Sequence, residues 1–132
     1  MHVTVDTNIL VRAVVEDDEA QARLARRVLA DAQQIVIPSQ CLCEFVWVLT
    51  RFFKYKPEEI AAAIRLLASS ANVLLDDAAV AAGLAVLEQG GDFADGVIAF
   101  DGRRLGGDTF VSFDRRAVRL LREAGFEAQL PS

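Results

Sequence analysis

The sequence predicts an α/β fold: a mostly parallel sheet with helices on both faces. Two observations predict it. Short β-branched runs alternate with longer stretches of helical apolar spacing along the whole chain, in the order strand, helix, strand, helix. The chain also has 132 residues, 53% hydrophobic and 25% charged, which suits one compact domain with a sizeable core. No repeat, low-complexity segment or linker divides it, so residues 1–132 are expected to form a single domain.

Val3–Val5 is β-branched and runs into the polar turn Asp6-Thr7-Asn8, which predicts a buried strand. A short helix follows over Ile9–Val15. Asp17 or Asp18 is placed to cap a second, reaching about Ala32. Gln34–Pro38 predicts the second strand, and Ser39 is positioned as the cap of a helix to about Phe53. Lys56-Pro57-Glu58-Glu59 opens another helix, with proline and acids in its first turn. Val73–Leu75 predicts the third strand. Asp76 or Asp77 caps a helix through about Gln89 that Gly90-Gly91 ends. Asp92 to about Leu105 is helical and is stopped by Gly106-Gly107. Thr109–Phe113 predicts the fourth strand and Asp114–Glu123 the last helix, ended by Gly125. Phe126–Leu130 completes the chain as a short edge strand.

Composition excludes several kinds of chemistry. The single histidine, His2, rules out a multi-histidine metal site. The two cysteines, Cys41 and Cys43, are too few for a disulfide framework or a four-thiolate zinc site, and they read as small core residues. A net charge of −5 argues against passive coating of nucleic acid, but an acidic nuclease with a bound cation remains compatible with it. No apolar run is long enough to span a bilayer, and the N-terminus lacks the pattern of a signal peptide, so a cytoplasmic protein is expected. Basic residues concentrate at Arg103, Arg104, Arg115, Arg116, Arg119 and Arg122, mostly as a solvated helix face.

The acids carry the chemistry. In open parallel sheets, sites form beyond the carboxyl ends of the strands. Asp6 follows the first strand and Asp114 the fourth. Asp92 and Asp95 follow Gly90-Gly91, and Glu44 lies in the helix after the second strand. Asp6, Asp95 and Asp114 each have a plainer reading as helix caps. Glu44 sits among Leu42, Phe45, Val46, Trp47 and Leu49 and is expected to be largely buried, with an ion pair to Arg51 or to an arginine elsewhere as the plainer alternative. Carboxylates gathered at one sheet edge repel one another unless a cation is present, and all-oxygen donors select hard ions such as Mg²⁺ or Mn²⁺. Such a set suits phosphodiester hydrolysis without a histidine or a covalent intermediate.

Four segments resemble the conserved blocks of PIN domains: Val3–Leu10 (VTVDTNIL), Ile37-Pro38-Ser39 through Glu44, Asp92–Ala99 (DFADGVIA) and Val111–Arg115 (VSFDR). They are most similar to the VapC branch of toxin–antitoxin systems. The resemblance covers essentially the whole chain and implies a three-layer α/β/α sandwich with a Mg²⁺- or Mn²⁺-dependent endoribonuclease activity. Its acidic quartet maps onto Asp6, Glu44, Asp95 and Asp114, with Asp6 and Asp95 as principal metal ligands. Asp92 matches an accessory acid, Asn8 a residue bracing the first aspartate, and Ser112 a position commonly held by threonine. The resemblance further implies hydrolysis leaving a 5′-phosphate and a 3′-hydroxyl, a homodimer, and a small antitoxin partner. Arg104 and Arg115 are candidates for the RNA backbone; Phe52, Phe53 and Tyr55 are candidates for the antitoxin interface. The chain departs from the family pattern at Gly96, where many relatives have alanine, and at Asp101-Gly102.

Two other readings compete. Asp6-Thr7-Asn8 with Asp92 and Asp95 faintly resembles a haloacid-dehalogenase-type phosphatase, but the only lysines, Lys54 and Lys56, are misplaced for that chemistry. A non-catalytic module would have lost quartet acids, and all four are present.

Overall fold

Strand β1 (His2–Thr4) lies parallel to β2 (Gln34–Val36), with Val3 opposite Ile35. Strand β3 (Val73–Leu74) adds to β2 in parallel, giving the order β1-β2-β3. The computed structural model describes all residues, Met1–Ser132, and divides them into two compact units, Met1–Asp76 and Asp77–Ser132.

In the first unit, helix α1 (Thr7–Val14) begins at the Asp6 cap and packs on α2 (Glu19–Asp31) and α3 (Ser39–Arg51). Helix α4 (Pro57–Ser69) packs on α3 and β3. Asp18 caps α2 by accepting the Gln21 N–H, as expected. Ser39 does not cap α3. Pro38 holds that position without a side-chain hydrogen bond, because Ser39 is already the first helical residue. At the start of α4 the Glu59 carboxylate accepts the Lys56 N–H at 2.9 Å. The α3 residues Leu42, Phe45 and Leu49 are fully buried, as are Leu10, Ile35, Ile60 and Ile64.

The second unit contains α5 (Asp77–Glu88), α6 (Phe93–Arg104), α7 (Arg115–Glu123) and a two-stranded parallel ladder of β4 (Phe110–Val111) with β5 (Ala128–Gln129). Its core joins Val86, Ala99, Val118, Leu121 and Phe126. The α/β class and the parallel pairing agree with the sequence. The strands are shorter than expected, two or three residues each, and pair as one ladder of three and one of two rather than as a single continuous sheet. No helix is long and apolar enough to cross a membrane.

Helices α5 and α6 approach closely because two glycines face the contact. A Cβ on Gly83 would lie 2.5 Å from the Phe93 ring, and one on Gly96 would run into the Ala82 carbonyl oxygen. Glycine at 96, a departure from the family pattern, thus has a packing cause. Gly96→Ala is expected to destabilise the chain by about 1–3 kcal/mol through overpacking. Gly102→Ala, whose Cβ meets nothing within 4 Å, should be neutral or stabilising by up to about 1 kcal/mol. Urea unfolding of the two variants checks this; an unchanged Gly96→Ala midpoint contradicts it.

Candidate active site

The first unit holds Asp6 and Glu44. Asp6 leaves β1 and caps α1, its Oδ1 accepting the N–H groups of Asn8 at 3.1 Å and Ile9 at 3.3 Å. The cap reading is therefore correct. It occupies one carboxylate oxygen and leaves Oδ2 without a protein donor. Asn8 serves Asp6 through its backbone. Both border an open groove of about 290 Å³ between α1 and α2, lined also by Arg12, Leu24 and Val28.

Glu44 is exposed, which corrects the expectation of burial. The apolar residues of α3 turn Cys41, Leu42, Phe45, Val46 and Leu49 inward, leaving Glu44 and Trp47 on the outward face. Nor does Glu44 pair with Arg51. Its Oε2 instead accepts the Thr7 hydroxyl at 2.6 Å, a short bond of the charge-assisted kind. Thr7 is the positioning residue that sequence reasoning missed. The signal was present in Asp6-Thr7-Asn8, where a hydroxyl follows the cap. Burial pushes the neighbouring Cys41 thiol up from its ordinary pKa; Thr7 pulls it down, and the charges of Asp6 and Glu44 push it up further. Asp6, Thr7, Cys41 and Glu44 thus share one electrostatic neighbourhood. Cys41 is buried as expected, whereas Cys43 is only partly so.

The second unit holds Asp92, Asp95 and Asp114. Asp92 caps α6, its Oδ1 accepting the Ala94 N–H at 3.0 Å. Asp114 caps α7, its Oδ1 accepting the N–H groups of Arg116 and Ala117, each at 3.0 Å. Ser112 shapes the turn before it by accepting the Asp114 N–H at 3.0 Å. Asp95 does not cap the helix, since Asp92 does. Its carboxylate lies in the first turn of α6, half-buried, with no hydrogen bond or ion pair from the protein. Its pKa is raised from 3.8 to about 6, first by burial and then by the charges of Asp92 and Asp114.

The sequence model of the PIN domain matches residues 3–123. The chain belongs to the PIN domain family. PIN domains are generally nucleases, and they typically use divalent metals. Membership favours a nuclease over a phosphatase. No curated protein matches the chain.

Donor chemistry and charge fit such a cation. The acids of this PIN domain offer only oxygen, which suits Mg²⁺ or Mn²⁺. Asp95 is short of positive charge where it stands. Within neither unit do three or more His, Cys, Asp or Glu side chains form a ready-made ligand group, so the fit rests on donor type and charge. Of the candidate arginines, Arg104 pairs with Asp101 at 3.1 Å and lies over the Phe100 ring, while Arg115 is exposed in the first turn of α7. Two others are structural: Arg103 covers the Phe126 ring, and Arg122 donates to the Ala128 carbonyl at 2.7 Å.

The Asp95 shift has a stability consequence. An acid with a raised pKa in the folded state binds its proton more tightly there than in the unfolded chain. Asp95 therefore costs nothing below about 3.8; its penalty grows as pH rises to about 6 and persists above. Without divalent ions, Asp95→Asn should be the more stable protein at pH 7, by at most about 1–2 kcal/mol after allowing for solvent screening. Urea unfolding in chelator across pH checks this. Parallel stability profiles for the two proteins contradict it.

Proposed function

We propose that this PIN domain, a single domain over residues 1–132, is a metal-dependent endoribonuclease of the VapC toxin type. The observation that carries the reading is the unpartnered, half-buried Asp95 beside two further acids, in a chain whose family is one of nucleases. By the resemblance to VapC proteins, Asp6 and Asp95 would be the principal ligands of a Mg²⁺ or Mn²⁺ ion, with Glu44 and Asp114 completing the set directly or through water. When bound, the ion supplies Lewis acidity toward the scissile phosphate and an attacking water.

The chain's own residues hold that apparatus in place. The α1 and α7 caps fix Asp6 and Asp114 by one oxygen each and leave the other open. The Thr7 hydroxyl orients Glu44. Arg115 and, when released by Asp101, Arg104 steady the RNA backbone. A homodimer and a small antitoxin partner belong to the same proposal, supported by the resemblance to VapC proteins. So does a cytoplasmic location, with which the lack of a helix fit to cross a membrane is compatible.

Incubation of end-labelled RNA with the wild type and Asp95→Asn in Mg²⁺ or Mn²⁺ tests the reading. The wild type should produce fragments with a 5′-phosphate and a 3′-hydroxyl, and the variant should lose at least about 100-fold of the rate, as for loss of a major electrostatic group. Chelator should abolish cleavage. Equal cleavage by both proteins, or undiminished cleavage in chelator, contradicts the assignment.

A further inference from the structure

The segment Arg51-Phe52-Phe53-Lys54-Tyr55-Lys56 supplies nothing to the acidic site; the resemblance offered only its aromatics Phe52, Phe53 and Tyr55, for an antitoxin interface. It interleaves three cations with three aromatics, contains no acid, and holds the only lysines of a chain whose net charge is −5. None of its cations is in an ion pair. Trp47, the only tryptophan, lies one helical turn after Glu44 on the outward face of α3 and is 57% exposed. The Phe52 ring, 64% exposed, meets it edge-on with centroids 5.4 Å apart. Arg51 follows Trp47 by a further turn.

The backbone supplies an independent observation. Lys54 has φ of 58° and is the only non-glycine residue with positive φ. The Tyr55 N–H reaches back to the Leu49 carbonyl at 3.0 Å, closing α3 in the manner that normally recruits glycine. Lysine at this position is conformationally unfavourable, and its side chain is exposed two residues after Phe52. Conformational cost retained for a side chain points to use of that side chain.

We propose that Trp47 and Phe52, flanked by Arg51, Lys54 and Lys56, form a stacking platform for single-stranded RNA beside Glu44. The inference rests on the nuclease reading and names how substrate is held. An aromatic face accepts any base, and the surrounding cations neutralise the phosphates that follow it. A patch built to pack against protein is depleted in lysine, whereas here two lysines frame the rings. The platform therefore favours unpaired, flexible RNA with little base preference.

Trp47 reports on its own role. Titration of the full chain in chelator with a short oligouridylate should quench its fluorescence. Trp47→Ala should weaken binding of a fluorescein-labelled form of that probe by roughly 5- to 100-fold. Lys54→Gly should raise the thermal midpoint by about 2–5 °C while weakening the same binding, a combination that loss of structure does not produce. Neutralising Arg51, Lys54 and Lys56 to glutamine should flatten the logarithmic salt dependence by about 2. Unchanged binding by Trp47→Ala and Lys54→Gly, with wild-type cleavage retained, overturns the platform and leaves the nuclease reading intact. If those variants instead change only the sedimenting mass of the protein, the patch is a protein interface and the proposal is wrong. Neither binding nor cleavage by the wild type removes both readings.

Discussion

Burial of a carboxylate beside other fixed carboxylates is the constraint on which the functional account depends. Asp95 is half-buried and receives no donor from the protein, while Asp92 and Asp114 add negative potential. Neutralisation by a proton is available only in acid. At neutral pH the remedy proposed above is a cation from solution, and hard divalent ions match the oxygen donors. The same acids also serve the fold: Asp6, Asp92 and Asp114 each cap a helix through Oδ1. Capping fixes the carboxylate's direction and sets its charge against the positive end of the helix dipole, so structural and chemical roles coincide in one side chain.

Close helix packing sets where these charges stand. Gly83 and Gly96 let α5 and α6 approach, and Phe93 fills the space at Gly83. Phe93 lies two residues before Asp95 and Gly96 one after it, so the contact orders the first turn of α6, where the half-buried Asp95 stands. In the first unit a single hydroxyl does comparable work, as Thr7 bridges the start of α1 to Glu44 on α3. On that face of α3 a carboxylate, an exposed tryptophan and an arginine follow one another at helical spacing.

Much of this is legible in the sequence itself. Helix starts were marked by Asp6, Asp18, Asp92 and Asp114, and stops by Gly90, Gly106 and Gly125, each of which has positive φ. Those signals are local, so sequence carries them. The order of strand and helix likewise gave the α/β class and parallel pairing. Strand extents were overestimated because β-branched residues such as Val5 and Ile37 are buried just beyond the paired segments. Glu44 was misplaced for a related reason. An almost wholly apolar helix suggests burial all round, but only tertiary packing decides that Trp47 faces outward beside it. The Thr7–Glu44 bond spans 37 residues: Asp6-Thr7-Asn8 offers the hydroxyl, but nothing local names its partner.

The most direct measurement is the carboxyl-carbon chemical shift of Asp95 followed by NMR as a function of pH. In chelator the account predicts a midpoint near 6, displaced toward the ordinary carboxylate range when Mg²⁺ is added. A midpoint near 3.8 in chelator, unmoved by Mg²⁺, would mean that Asp95 feels neither its acidic neighbours nor the ion, and would contradict the account.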